Sequence, residues 1–314
     1  MTLLDSPSIL LVATIGLAVA LAWPVPLLLA RANWVSRSPR AALLLWQGVA
    51  LGGALALFGA LLGVGLAGGV HVAELLSAWS QGPLPAQWAL VNALAFSVAI
   101  LFGVLLLANL AHVAWVTERR RRQHRSRVDL LSTPMSDVSN VRLLNHPAPL
   151  AFCLPGLRQL TVLSSGLVEL FDEREFEAVL AHERAHLRGQ HHLMLLAFHA
   201  WHDTLPWFPV ASKAETAVAS LIELVADDEA SRVVERSALA SALRRGGGAW
   251  DDGVGFGFDD AVVTHQRSYG PRLARLESPR HRIGLAARLL VVMTSVALVI
   301  MPVCYLVQLA GRSL

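Results

Sequence analysis

Four long stretches without a charged side chain dominate the pattern of apolar and polar positions along this chain. They run between residues 5 and 31, 40 and 74, 74 and 118, and 288 and 312. A helix needs about 20 apolar residues to cross the hydrocarbon core of a bilayer, so each stretch is long enough. The pattern predicts membrane-spanning helices near residues 8–29, 42–67, 87–116 and 289–310. The first stretch does not fit a cleavable signal peptide, because an acidic residue precedes it and its apolar run is too long.

Shorter patterns occur between the third and fourth apolar stretches. Residues 160–164 have the composition of a β-strand, and residues 150–153 are a candidate partner strand. Asp172 and Glu175 form the D-x-x-E pattern of a capping box, which predicts a helix that begins at about residue 173. Further helices are predicted near 192–203 and 213–236, and a mobile glycine-rich loop is predicted over 245–268.

Composition restricts the class of protein. The chain of 314 residues is 54% hydrophobic and only 16% charged, whereas a soluble domain is nearer a quarter charged. The two cysteines, Cys153 and Cys304, lie on different sides of the predicted membrane boundary, so we expect no disulfide. The apolar stretches contain almost no ionisable residues, which argues against a transporter.

Arginine residues are unevenly distributed around the apolar stretches. Three lie in the first connection, the second connection has no lysine or arginine, and six lie between residues 119 and 127. The positive-inside rule then predicts that the large central segment faces the cytoplasm and that both termini lie outside the cell membrane. The six arginines are interpreted as a membrane anchor, so we expect no direct contact with nucleic acid.

Residues 182–186 read His-Glu-Arg-Ala-His, an HExxH pentapeptide in a predicted helix. Positions four apart lie on one face of a helix, so His182 and His186 present two imidazoles to one point. Zinc accepts imidazole nitrogens at roughly 2.0–2.1 Å, which one helical turn can provide. Glu183 is then placed to act as the general base toward metal-activated water. The pentapeptide predicts a hydrolase that uses one Zn2+ ion.

A catalytic zinc site needs a third protein ligand, and two candidates are open. Glu223 begins an E-x-x-A-D pattern in the next long helix, where Asp227 would hold a ligand histidine through its other ring nitrogen. Alternatively, the string from His182 to His192 matches the metzincin pattern HExxHxxGxxH, in which His192 is the ligand. The metzincin scheme requires a downstream methionine turn, and no methionine lies between residues 194 and 293. Glu223 is therefore favoured.

HExxH on one helix and E-x-x-A-D on the next resemble the membrane gluzincins. These include the Ste24/HtpX-type peptidases and the BlaR/MecR-type antibiotic-sensor peptidases. The sensor group is more similar, because it also has three N-terminal membrane helices, a cytoplasmic zinc peptidase domain and a fourth helix. The segments Ala151–Gly156, Leu163–Leu167 and Ala178–Ala181 also resemble that group.

The resemblance implies a mainly α membrane protein with four transmembrane helices. An α+β zincin-like metallopeptidase domain, residues 118–285, is inserted between a three-helix region, residues 1–117, and a last helix, residues 286–314. The family often has an acidic residue at the position of His191, so the role of this histidine stays open. Antibiotic sensors also carry a penicillin-binding domain after the fourth helix, whereas this sequence ends at Leu314. We therefore expect no β-lactam binding by the chain itself.

Two further expectations concern the substrate. The strand near residues 148–153 is expected at a sheet edge beside the zinc helix, where Ala151 and Phe152 would pair with an extended peptide. Alternatively, this strand is an ordinary sheet edge that binds no substrate. Arg272 resembles a downstream arginine of the related peptidases and is a candidate donor to the oxyanion. Alternatively, Arg272 belongs to the charged residues that precede the last helix.

The resemblance implies an endopeptidase in signal transduction that cleaves a cytoplasmic protein, typically a winged-helix BlaI/MecI-type transcriptional repressor. Two alternatives stay open, namely an HtpX-like quality-control protease of membrane proteins and a non-catalytic receptor stabilised by zinc. Glu183 argues against the receptor, because a structural zinc site needs no general base and usually has four protein ligands. The expected partners are the protein substrate and the lipid bilayer, and a homodimer is left open.

Overall fold

The computed structural model describes residues 7–66, 89–135, 140–154, 159–204, 209–246, 261–278 and 283–313. Most of these residues are helical, and a small sheet lies in the central segment. In chain order the elements are α1 (Pro7–Ala22), α2 (Pro24–Arg31), a 3-10 turn (Val35–Arg37), α3 (Pro39–Leu66), α4 (Ala89–Leu131), β1 (Ser132–Pro134), β2 (Val141–Leu144), β3 (Ala151–Leu154), β4 (Leu160–Ser164), α5 (Ser165–Leu170), α6 (Glu173–Gly189), α7 (His191–Thr204), α8 (Pro209–Ala230), α9 (Arg236–Gly246), α10 (Ala261–Glu277) and α11 (Leu285–Ser313).

Helices that are long and apolar enough to cross a membrane occur at all four predicted places. They are Ile9–Arg31, Pro39–Leu66, Leu90–Leu131 and Leu285–Gly311. The first predicted helix is divided in two, because α1 ends at Ala22 and α2 begins at Pro24. Proline has no backbone N–H to continue the ladder of α1, but it is well suited to the first turn of a new helix.

The third membrane helix continues well past its predicted end at residue 116. α4 is one uninterrupted helix of 43 residues, about 65 Å long, which is more than twice the hydrocarbon thickness of a bilayer. Arginine is a good helix former, so the six-arginine run continues the helix as it leaves the apolar stretch. The division predicted at residue 117 therefore falls inside a helix that leads directly into β1.

The small sheet has the strand order β1-β2-β4-β3. β4 occupies the predicted residues 160–164 and pairs parallel with β2 and antiparallel with β3. The candidate partner strand is found as β3, one residue later than predicted. Among the described strands, β3 is an edge strand, as expected for the segment that contains Ala151 and Phe152.

The sheet is covered by helices on both faces. On one face Val162 and Leu154 share a buried cluster with Val128 of α4. On the other face Leu163 packs in the main core of the central segment with Val179 of α6. This arrangement fixes α6, the helix that carries the HExxH residues, against the sheet.

α8 joins the central segment to the membrane helices. Ile222 of α8, Phe198 of α7 and Trp46 of α3 belong to one buried cluster. The rings of Trp46 and Phe198 meet edge to face, with centroids 6.3 Å apart. An ion pair between Arg40 and Glu229 ties the start of α3 to the end of α8. The two helices that follow the HExxH residues are therefore docked on the membrane bundle.

Two predictions for the central segment need correction. The helix predicted over 213–236 begins earlier, at Pro209, and ends at Ala230, before the separate helix α9. The predicted glycine-rich loop over 245–268 lies partly outside the described residues, which exclude 247–260. Its two ends are helical, since α9 extends to Gly246 and α10 begins at Ala261.

Close packing of α3 against α11 depends on two glycines one turn apart. A Cβ atom on Gly48 would lie 2.8 Å from the carbonyl oxygen of Ser295, and a Cβ atom on Gly52 would overlap the carbonyl oxygen of Leu298. The spacing is the small-xxx-small pattern with which membrane helices approach closely.

We expect Gly52→Val to force α3 away from α11. The free energy of unfolding should fall by about 1–3 kcal/mol, the usual cost of overpacking. Thermal unfolding of the full chain in detergent, followed by circular dichroism, measures the effect. Gly16→Val is the matched control, because nothing lies within 4 Å of the Cβ position at Gly16. Equal destabilisation by the two variants would contradict this packing.

Candidate metal centre

The start of α6 is fixed by the predicted capping box. The Asp172 carboxylate accepts a hydrogen bond from the Glu175 N–H at 2.9 Å, and the Glu175 carboxylate accepts one from the Asp172 N–H at 3.2 Å. Glu175 is buried and also accepts a hydrogen bond from Ser241 of α9. The helix therefore begins at a defined residue, and this sets which of its side chains face the core.

The buried face of α6 contains both histidines of the HExxH pentapeptide. The Nε2 atoms of His182 and His186 lie 3.0 Å apart, and their ring centroids are 4.7 Å apart. Both side chains are buried. Two neutral rings can share one proton between these nitrogens as donor and acceptor, whereas a cation between them would accept both lone pairs.

Glu223 of α8 completes a three-residue group with these histidines. Its carboxylate oxygens lie 3.3 Å from His182 Nε2 and 3.5 Å from His186 Nε2. One ligand atom from each residue lies within 4.8 Å of the other two, and all three residues are buried. Ligand atoms at about 2.0–2.1 Å from a tetrahedral zinc ion are about 3.3 Å apart, so the observed separations fit such an ion.

Asp227 lies one turn after Glu223 and contacts the second ring nitrogen of His182. Its Oδ1 atom is 3.0 Å from His182 Nδ1, the ring nitrogen that faces away from the three-residue group. This is the position from which a carboxylate orients a metal-binding histidine and fixes its tautomer. The structure thus places Asp227 where the E-x-x-A-D pattern predicts it.

Arg272 of α10 binds the two acidic residues of α8. Its Nε and Nη2 atoms each donate a hydrogen bond of 2.9 Å to Asp227, and its Nη1 atom lies 3.1 Å from Glu223 Oε2. The side chain is only 1% exposed. Its guanidinium therefore holds the carboxylates of the site, and no described contact directs it toward a substrate oxyanion. The expected oxyanion role stays a prediction.

The carboxylates of the site are strongly biased toward their charged forms. Burial raises the pKa of Asp227, but the charge of Arg272 and the hydrogen bond with His182 outweigh it and lower the pKa to about 2. Burial opposes ionisation of Glu223 as well, yet the histidines and Arg272 hold its pKa well below the usual range. Two anionic oxygen donors therefore face the imidazoles at neutral pH.

Two neighbouring carboxylates favour the protonated form of His182. Burial and the charge of Arg272 lower its pKa, but hydrogen bonds with Asp227 and Glu223 outweigh them and raise the pKa to about 9. A metal ion needs the neutral imidazole, so it must displace this proton when it binds.

Glu183, which directly follows His182, is buried. It contacts Cys153, which the sequence did not indicate as a residue of the site. Burial and the Glu183 carboxylate, with which the thiol forms a hydrogen bond, raise the pKa of Cys153 well above its usual range. Cys153 therefore faces the general-base candidate as a neutral thiol from β3. In the sequence, Cys153 lies apart from the candidate metal-binding residues, so no pattern there indicated this contact.

The two histidines that begin α7 have different surroundings. His191 Nδ1 lies 3.2 Å from His186 Nδ1, and burial lowers the pKa of His191 to about 3. His192, the alternative third ligand, is buried but is not part of the three-residue group found among the described residues. The geometry therefore favours Glu223 over His192.

Comparison with known families agrees with this part of the chain. Residues 114–242 match the sequence model of peptidase family M48, whose members are metallopeptidases that usually use zinc. The matched segment extends from the end of the α4 membrane stretch through the sheet and α8 to α9, and it includes Glu223. Among curated proteins and among solved structures, no match to the chain is found. Residues 114–242 thus match a peptidase M48 domain, and together with the four apolar helices this match indicates a membrane-associated metallopeptidase.

Proposed function

We propose that this protein is a membrane-anchored zinc endopeptidase in which His182, His186 and Glu223 bind the metal and Glu183 is the general base. The convergence of three buried ligand atoms within 4.8 Å is the observation that carries the proposal. Glu183 directly follows the first histidine on the buried face of the same helix.

The proposed chemistry divides between the metal and the protein. His182, His186 and Glu223 would hold a zinc ion, which would supply a Lewis acid toward the substrate carbonyl and toward water. Glu183 accepts the proton from the attacking water and passes it to the leaving amine. Asp227 keeps His182 in the tautomer that presents Nε2, and Arg272 holds Asp227 and Glu223 in place.

The ligand set supports a catalytic rather than a structural zinc site. Structural sites are usually closed by four protein ligands, and catalytic sites keep one position open. The group found among the described residues has three members. This favours a peptidase over a receptor that zinc only stabilises.

We further propose that the substrate is a cytoplasmic winged-helix repressor of the BlaI/MecI type. Two sequence features support this choice: the resemblance to the sensor peptidases and the arginine distribution, which favours a cytoplasmic central segment with external termini. A repressor gene beside the gene for this chain would favour signalling.

A quality-control protease of the HtpX kind is the second candidate, and it is favoured by the docking of α7 and α8 on the membrane helices.

Glu183→Gln should retain zinc, folding and membrane insertion but lose proteolysis. Loss of general-base catalysis should slow cleavage by about 10²- to 10⁴-fold. The measurement is cleavage of a co-expressed candidate repressor in membranes, together with the zinc content of the purified protein. Glu177→Gln is the control, since Glu177 is exposed on the same helix.

Survival of cleavage in Glu183→Gln would refute the assigned base. If the wild-type protein leaves the repressor intact but degrades a misfolded membrane protein in a manner that needs Glu183, the quality-control function is correct.

The third ligand can be assigned by zinc binding alone. Glu223→Gln should weaken zinc binding by more than the roughly 10- to 100-fold that loss of an outer-shell partner costs. His192→Leu should leave the affinity nearly unchanged, because His192 is not part of the three-residue group. Competition with a chromophoric chelator measures both affinities. The reverse result would favour the metzincin arrangement.

The open edge of β3 is proposed to bind the substrate backbone. The Ser164 N–H donates to the carbonyl of Leu150, so Phe152 is the next residue bonded to β4, and the backbone of Ala151 faces the open edge. An extended peptide beside β3 would lie along the buried face of α6 that holds the metal ligands.

Ala151→Pro should therefore abolish cleavage while zinc is retained, because it removes an outward N–H. Phe152→Pro should also abolish cleavage, but by breaking the ladder with β4, so it should lower thermal stability as well. Ala151→Ser keeps the N–H and is the control. Zinc content, thermal unfolding and cleavage rate are measured for each variant. Normal cleavage by Ala151→Pro would contradict this substrate edge.

A further inference from the structure

The two ligand histidines are contacted from behind by different chemical groups. His182 Nδ1 lies 3.0 Å from the Asp227 carboxylate, whereas His186 Nδ1 lies 3.2 Å from His191 Nδ1. In both cases the contact uses the ring nitrogen that faces away from the proposed zinc ion. A metal-binding histidine normally donates this second N–H to an acceptor, which fixes the orientation of its ring.

The position of the proton on His186 determines the role of His191. If Nε2 of His186 gives its lone pair to the metal, the proton of that neutral ring is on Nδ1. Nδ1 then donates, and Nδ1 of His191 must accept. The His191 proton is therefore on its own Nε2 atom. The rings are nearly perpendicular, at 86°, so they meet through their nitrogens and do not stack.

The chain turn after α6 is built to bring His191 into this place. α6 ends at Gly189, and Gln190 has a left-handed backbone with φ of 47°. The Gln190 N–H is bonded to the carbonyls of His186 and Leu187, which closes the turn. A Cβ atom on Gly189 would overlap Nε2 of the His191 ring. Glycine at this position is what leaves room for the ring.

We propose that His191 is a positioning residue that accepts a hydrogen bond from His186 and so orients this zinc ligand. The inference rests on the proposed zinc site and deepens it. His191 is only 2% exposed, and its contact is on the far side of His186 from the metal, so it is not itself a ligand. His182 has an anionic acceptor and His186 a neutral one, so the two ligands differ in basicity.

Zinc affinity of the full chain in detergent, measured by chelator competition, tests this role. His191→Leu removes the acceptor and should weaken binding by about 10- to 100-fold. His191→Asn should keep most of the wild-type affinity, because its amide oxygen can occupy the place of Nδ1. His202→Leu is the control, since His202 contacts Glu215 and Asp203 and not the zinc ligands.

A spectroscopic measurement separates positioning from a packing effect. In the Co2+-substituted protein, the exchangeable proton on His186 Nδ1 should give a shifted resonance in the wild type and in His191→Asn. The resonance should disappear through solvent exchange in His191→Leu. Equal zinc affinity in His191→Leu and the wild type would overturn the proposal, as would equal losses in His191→Leu and His191→Asn.

Gly189→Ala decides the question if His191→Leu does not fold. Alanine has a higher helix propensity than glycine, so this change would stabilise the helix if the added Cβ atom contacted nothing. We expect weaker zinc binding instead, because the added Cβ displaces the His191 ring. Wild-type affinity in Gly189→Ala would refute the proposal. Failure of the proposed zinc site gives a different result. In that case the wild type and His186→Ala would not differ in zinc binding.

Discussion

The central constraint on this structure is the burial of three carboxylates, Glu183, Glu223 and Asp227, within one small volume. An uncompensated buried charge costs several kcal/mol, so such a group needs nearby positive charge. Arg272 supplies one positive charge, which leaves a formal charge of minus two for a divalent cation. Without a cation, the proton that His182 holds with a pKa of about 9 compensates part of it. The same electrostatic balance that stabilises the fold would favour a bound cation.

α8 connects this charge cluster to the membrane. Its Glu223 and Asp227 side chains face α6, while the neighbouring Ile222 packs with Trp46 of α3. Because these residues are on one rigid helix, the position of Glu223, the proposed third zinc ligand, is tied to that of α3. The centre is therefore held near the start of α3 by side-chain packing as well as by the covalent chain.

Sequence patterns were sufficient where the determinants are local. Apolar length placed the four membrane stretches, and the Asp172 capping pattern placed the start of α6 at the correct residue. Patterns failed where a helix could continue through polar residues, as α4 does, or where a break depends on one residue, as between α1 and α2 at Pro24. Strands β1 and β2, of three and four residues, were not predicted.

Predictability of the site follows the same rule. His182 and His186 are one turn apart, as are Glu223 and Asp227, so helical periodicity alone brings each pair to one face. Arg272 is 45 residues from Asp227, and no periodic pattern relates the two positions. His191 follows His186 by five residues, yet it reaches the ring only because Gln190 reverses the chain in a left-handed conformation. Residues that could bind metal were thus visible in the sequence. Arg272 and His191 reach the site through tertiary packing and a backbone turn, which helical spacing does not encode.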